Sequence, residues 1–352
     1  MMDETRAPAF RAVSRKAVRL SAEELVETGS LDDGAKFPLV VRPRVADTNL
    51  VTWAAGQRDL LASWLLEHGA LLFRGFGIDS VERFQQLARA VSPDLLDYQE
   101  RAAPRVEVAR NVFTSTEYPP DQPIPLHHEM SYSHNWPAKI WFHCVQPAAS
   151  GGATPVADDR QVFGLIDPEV KRRFLEKKVM YVRNYGDGVD LPWQEVFQTT
   201  DRAEVEAYCR KAGMYYEWRD RDRLRTRAVR QVVVTHPRTG DTIWFNHAHM
   251  FHASNLDPAM REALLAVLDE DELPRNAFYG DGSRIEDGVL ERIRETYRRA
   301  AVIFPWQQGD VMLLDNFLAS HGREPFTGPR RIVVAMAELY TAPSQRGVEP
   351  SP

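Results

Sequence analysis

Apolar positions in this chain fall into short blocks that alternate between the strand period and the helix period. Residues 37–42 (FPLVVR) and 70–76 (ALLFRGF) are near-continuous apolar runs and predict buried strands. Between them Leu50, Trp53, Leu60, Leu61, Trp64 and Leu65 recur at helical spacing, which predicts one helix over 49–68 closed by Gly69. Ser80 caps a second helix that runs to 91. Helical spacing returns at 167–178, 193–197, 202–212, 257–268 and 288–301. Strand patterns occupy 180–185, 214–218, 228–236, 242–246, 302–304, 311–315 and 331–340. Many short strands interrupted by helices predict a mainly β fold with flanking helices: a double-stranded β-helix, or jelly roll, carrying helical insertions. Residues 1–35 are polar and predict a loosely ordered leader with a short helix at 21–27. Residues 36–345 contain no linker and predict a single domain.

Composition narrows the picture only by exclusion. A net charge of -6 over 352 residues gives no global attraction to nucleic acid or to an anionic membrane. The two cysteines, Cys144 and Cys209, form neither a disulfide framework nor a thiolate zinc site. The N-terminal stretch lacks the apolar core of a signal peptide and no run reaches membrane-spanning length, so a cytoplasmic location is expected.

Chemistry concentrates in the segment 126–160. His127 and Glu129 are two apart, and on a strand such residues share one face, while His128 points the other way. An imidazole and a carboxylate converging on one centre are two ligands for a divalent metal. A further histidine would complete the two-histidine, one-carboxylate triad that holds non-haem iron(II) and leaves positions open. His321 is placed to supply it. It follows the run GDVMLLDN and precedes Gly328-Pro329 and the strand 331–340. If 311–315 and 331–340 pair, an arginine at the start of the second strand lies close to His321. That suits a small dicarboxylate, its keto-acid end on the metal and its far carboxylate on the guanidinium. Arg330 and Arg331 face opposite ways on a strand, and spacing does not choose between them.

The ordered set His127-x-Glu129, GGxT at 151–154, WxxGDxxLxDN at 306–316, His321 and PRR at 329–331 resembles the taurine dioxygenase/clavaminate synthase-like superfamily over residues 70–340. The segments HHEMSYS, WFN and HGREPFTGPRR look most like its branch of amino-acid hydroxylases from peptide-antibiotic pathways. The resemblance implies Fe(II), 2-oxoglutarate and dioxygen as cofactor and co-substrates. It implies His127, Glu129 and His321 as iron ligands, and Arg331 with Thr154 for the far carboxylate of 2-oxoglutarate. Many members carry another arginine four residues after the co-substrate arginine. Ala335 stands there, which argues against a sulfonate substrate.

The implied reaction is hydroxylation of an unactivated C–H bond in an amino acid or amino-acid-derived small molecule, with decarboxylation of 2-oxoglutarate to succinate. Desaturation or epoxidation at the same centre is the alternative. Related halogenases have a small residue at the carboxylate position, and Glu129 argues against halogenation. A non-catalytic sensor of 2-oxoglutarate or metal and a zinc hydrolase are the rivals from other classes.

Candidate substrate contacts are Asn111, Thr114 and Tyr118, which lead into the proline-rich loop before the metal pair, together with Ser131, Trp244, Asn246 and Phe251. His247 and His249 could bind metal themselves but lack a nearby carboxylate, which favours lining the substrate site or supporting the ligands, and His134 and His143 lie near the motif without being read as ligands. Six arginines in 219–230, interleaved with Asp220 and Asp222, read as a self-paired solvated face; docking of an acidic carrier protein is the sharper reading. Replacing His128 by alanine is expected to leave substantial activity.

Overall fold

A computed structural model describes residues 22–343, apart from 32, 33, 35, 98–104, 116, 117 and 187–190. Its centre is an eight-stranded sheet. The strand order is Val26–Gly29, Leu39–Pro43, Ala70–Phe73, Val311–Asp315, Asn135–Gln146, Arg331–Thr341, Val112–Thr114 and Glu107–Ala109. Among the described residues, only Leu39–Pro43 with Ala70–Phe73 is a parallel pair. One face of the sheet buries Leu71, Phe73, Trp141, Leu313, Val333 and Ala335 under helices that supply Trp53, Leu61, Leu65, Phe84 and Leu87. The other face buries Leu72, Ile140, Phe142, Met312, Leu314, Ile332 and Val334 in the main core. A three-stranded sheet lies on that side, in the order Ile124–His127, Ala319–Arg323, Val156–Asp158. A four-stranded sheet (Tyr215–Arg219, Arg223–Arg230, Val179–Tyr185, Arg275–Tyr279) forms the insertion between the two halves of the site.

Most predicted elements are present, and the departures have local causes. The helix expected over 49–68 divides at Gln57 (φ -122, ψ 29) into Leu50–Gly56 and Arg58–His68; Gly56 closes the first piece and lowers its helical preference. Asn49 and Ser80 cap their helices through the side chain, as their identity predicts. The expected helix at 21–27 is a single 3-10 turn, Ala22–Leu25, followed by the strand Val26–Gly29. That strand pairs with Leu39–Pro43, so the sheet begins inside the stretch read as a loose leader; residues 1–21 lie outside the described residues. The strand expected at 302–304 reduces to one bridge, Val302 to Val156.

The pairing considered between 311–315 and 331–340 does not occur. Both strands flank Asn135–Gln146, one on each side, and His321 sits on a strand of its own in the smaller sheet.

Candidate metal and co-substrate site

His127 ends the strand Ile124–His127, and its cross-strand partner is His321. Residues directly opposite in an antiparallel pair bring their side chains together, and the two rings lie 4.5 Å apart between centroids. Glu129 is not on the strand. The chain turns after His127, with Met130 at φ 60, so the carboxylate arrives by a turn and not by strand alternation. Asn316 pins that turn: its Oδ1 accepts from Glu129 N (2.9 Å), and its Nδ2 donates to Glu129 O (3.0 Å) and Pro137 O (2.9 Å). The GDxxLxDN motif is thus positioning hardware. Asp310 is anchored by buried Arg74 at 2.7 Å, and Asn316 holds the carboxylate turn.

One ligand atom from each of His127, Glu129 and His321 lies within 4.8 Å of the others, and the three residues are 9%, 4% and 5% exposed. Two imidazole nitrogens and a carboxylate are a suitable donor set for a divalent first-row cation. His127 Nδ1 donates to Pro125 O at 2.8 Å, which leaves Nε2 to bind. Burial lowers the pKa of His127 and takes that of His321 well below the ordinary value. Both rings therefore stay neutral, and a metal need not compete with a proton for them. Iron(II) affinity should change little between about pH 8 and about pH 6, where an ordinary histidine site would begin to protonate. A titration showing a tenfold loss over that interval would contradict this.

Beside the three residues opens a small cleft lined by Arg105, Ser115, Phe142, Thr154, Arg330 and Ile332 among others. Of the two adjacent arginines, the structure turns inward the one that the resemblance did not name. Arg331 is exposed and lies opposite Gln146, whereas Arg330 lines the cleft. Arg330 donates from Nε to Gly152 O at 2.9 Å and reaches Thr154 Oγ1 at 3.5 Å. A register shift between Arg331 and Ile332 precedes the regular pairing, and Ile332, Val334 and Met336 face the main core while Val333 and Ala335 face the helices. Arg330 shares the parity of the inward set. Desolvation lowers its pKa to about 10, which still leaves it charged at neutral pH. Four residues beyond Arg330 stands Val334, so no second arginine follows at the family spacing.

Thr154 accepts from Trp306 Nε1 at 2.9 Å, which fixes its hydroxyl beside Arg330. The double glycine has a steric reason. A Cβ on Gly151 would sit 2.2 Å from Pro325 O, and one on Gly152 would meet Arg330 Cδ at 3.0 Å; both have positive φ.

The substrate candidates divide. Ser131 Oγ bonds His247 Nδ1 (2.6 Å), and His247 packs edge-on against His127 at 5.4 Å. Phe251 contacts His247 and stacks on Tyr132, so Ser131 and Phe251 belong to the wall next to His127. Trp244 is fully buried against Phe174, and Asn246 ties Val232 O to Ala248 N; both are structural. Asn111 (φ 63) bonds Asp97 and Arg89, and Thr114 accepts from Val106 N. Tyr118 is 49% exposed and offers its carbonyl to Arg323. His249 bonds Leu126 O, and His143 stacks on Phe84, so neither joins the metal set. In the arginine-rich segment, Arg225 is buried on Asn184 and Asp271, not solvated, and Arg219 pairs with Glu217.

His128, the first residue beyond the strand, points away from the centre into a closed pocket. Its Nδ1 meets Asn316 O at 2.7 Å and its Nε2 lies 3.1 Å from Asp159 Oδ1, both side chains fully buried. His128→Ala removes the ring that bonds Asn316 O and faces Asp159, while Ser320 N still donates to Asp159 Oδ2. We expect it to cost about 1–3 kcal/mol of stability for the buried polar groups left unmatched, read by denaturant unfolding; a loss under about 0.5 kcal/mol would show the pocket relaxes freely. The expectation of a mild variant thus holds only for enzyme that stays folded.

Arg105 was missed by sequence reading. It lies in 94–111, which carries no pattern, yet its NH2 donates to Glu129 Oε2 at 2.8 Å with both side chains 5% exposed.

Residues 36–336 match the model of the taurine catabolism dioxygenase TauD, TfdA family. The chain is 45% identical over 274 residues to the dapdiamide synthesis protein DdaC of Enterobacter agglomerans, covering 78% of this chain and 83% of that one. It is 32% identical over 293 residues to a clavaminate synthase-like protein of Arabidopsis thaliana, covering 80% and 85%. The crystal structure of PvcB from Pseudomonas aeruginosa shares the fold, with a TM-score of 0.54 at 18% identity over 92% of this chain and 94% of that one. A PvcB structure described as an Fe, alpha-ketoglutarate dependent oxygenase from an isonitrile synthetic pathway gives a TM-score of 0.51 at 18% identity, with the same coverage.

Proposed function

Since the chain belongs to the TauD, TfdA family and is a non-haem iron, 2-oxoglutarate-dependent dioxygenase, we propose that it hydroxylates a C–H bond of an amino acid or amino-acid-derived small molecule. The observation that carries the site assignment is the meeting of His127, Glu129 and His321 within 4.8 Å beside a cleft that holds an inward arginine. On this reading those three residues hold the iron. Arg330, with Thr154 and the backbone of Gly152 as its supports, grips the far carboxylate of 2-oxoglutarate. The scaffold is a double-stranded β-helix whose two sheets are the eight-stranded and three-stranded ones.

Bound there, iron and 2-oxoglutarate supply the oxidising power, with succinate and carbon dioxide as by-products. The chain's own residues do the placing. His127 and His321 present neutral nitrogens, Asn316 fixes the approach of Glu129, and burial keeps water from the reacting region. Phe251 and Tyr132, against His247, form an aromatic wall for the substrate's carbon skeleton, and Ser131 orients His247. The dapdiamide synthesis relative supports a biosynthetic, amino-acid-related substrate. A carrier-tethered form of it would meet a segment in which Arg221 is exposed and Arg219, Arg223 and Arg227 are half-buried. Incubation with iron(II), ascorbate, 2-oxoglutarate and a panel of free amino acids tests the reading. A product heavier by one oxygen, formed with one succinate, is expected. Oxygen-independent turnover with zinc would overturn it.

A further inference from the structure

Backbone pairing fixes the three converging residues only in part. His321 pairs with His127, but the register shifts between His321 and Arg323, and Glu129 lies beyond the end of its strand. A buried chain of polar contacts runs behind them. Ser320, the residue before His321, donates its N–H to Asp159 Oδ2 at 2.7 Å. Asp159 Oδ1 lies 3.1 Å from His128 Nε2. His128 Nδ1 meets Asn316 O at 2.7 Å, and the Asn316 side chain bonds the backbone N–H and carbonyl of Glu129. Ser320, Asp159, His128 and Asn316 are all fully buried. The Asp159 carboxylate is not spent on the helix it opens. Asp158 caps Asp159–Leu165 by accepting from Arg160 N, while Asp159 N donates to Leu318 O at 2.8 Å, just before the strand of His321.

We infer that Asp159 is a positioning residue: its carboxylate ties the strand of His321 to the turn that carries His127 and Glu129, and so fixes the spacing of the three ligands. One oxygen serves each side, so displacing either arm costs a buried polar contact. Hydrogen-bonded supports of this kind orient metal ligands, and removing one commonly costs about 10–100-fold in metal affinity or activity. This inference rests on the reading of His127, Glu129 and His321 as the metal set.

The test uses the full chain, with iron(II) affinity as one readout and amide hydrogen exchange of the metal-free protein as the other. Asp159→Ala should bind iron(II) about tenfold more weakly. In the metal-free variant, exchange should quicken in 318–323 and in 127–131 together, because the two segments lose their common tie. Asp159→Asn should rescue both readouts, to within about twofold in affinity. Its amide oxygen can accept from Ser320 N and its amide nitrogen can donate to His128 Nε2, since His128 Nδ1 donates to Asn316 O. The KM for 2-oxoglutarate should move by less than about twofold, as Arg330 and Thr154 are untouched. A rise in that constant as large as the loss of iron affinity would mark general disruption and count against positioning. His128→Ala cuts the same chain at its next link. It should weaken iron(II) binding by a similar factor while still turning over at saturating iron(II), and it carries the test if Asp159→Ala does not fold. Unchanged iron(II) affinity in either variant, quickened exchange confined to 318–323, or an asparagine variant as impaired as the alanine one would each overturn the inference. If wild type binds no metal, or His321→Ala binds it equally well, the metal-set reading itself has failed. If those controls behave and Asp159→Ala matches wild type, this inference alone is wrong.

Discussion

His321→Ala should bind no iron(II) at micromolar concentration and should make no succinate above background. Removing one of three protein ligands costs several kcal/mol of metal binding, about 10³-fold or more. Among the described residues no neighbouring histidine can take the place. His143 is stacked under Phe84 on the helix side of the sheet, and His249 is bonded to Leu126 O. His247 already bonds Ser131 and touches His127 from the side. The fold should survive, because His321 is a neutral buried ring whose Nδ1 has no hydrogen-bond partner, so its loss leaves no charge stranded. Equilibrium dialysis with iron(II), together with a circular dichroism spectrum, separates loss of metal from loss of structure. Stoichiometric iron binding by this variant would remove the basis of the site.

The adjacent arginines give the second large effect, and the sharper one. Arg330→Met should raise the KM for 2-oxoglutarate by about 10²-fold, since it deletes charge-assisted bonds worth about 1.5–3 kcal/mol each in a desolvated cleft. Arg331→Ala should change the same constant by less than about threefold, because Arg331 is exposed beside Gln146 and surface replacements of this kind stay within about 0.5 kcal/mol. The contrast between two adjacent arginines is the measurement. Equal effects, or the larger one at Arg331, would reverse the assignment and return it to the residue that the family resemblance implied.

Why the resemblance named Arg331 while the structure turns Arg330 into the cleft is physically clear. In a strand with one wet face, alternation of apolar and polar residues reveals which side is inward. The strand Arg331–Thr341 is buried on both faces, with Ile332 and Val334 in the main core and Val333 and Ala335 under the helices. Its sequence is apolar throughout the centre, so parity could not be read from it. The register shift at Arg331/Ile332 adds to the difficulty, because it lies at the position where the choice had to be made.

Glu129 teaches the same lesson from the other side. It reached the expected place by an unexpected route. A turn at Met130, clamped by Asn316 from a residue 187 positions away, does what strand alternation was expected to do.

By itself the sequence singled out the three residues that the structure brings together, because His127, Glu129 and His321 are residue types that suit a divalent cation and they occur in a recognisable order. It located most of the helices, through spacing and caps, and marked the glycines at 151 and 152. The tertiary structure alone decided three things. It chose which twin arginine turns inward, it separated 311–315 from 331–340 by inserting Asn135–Gln146 between them, and it brought Arg105 onto Glu129. Each depends on contacts between residues far apart along the chain, and local spacing carries no information about those.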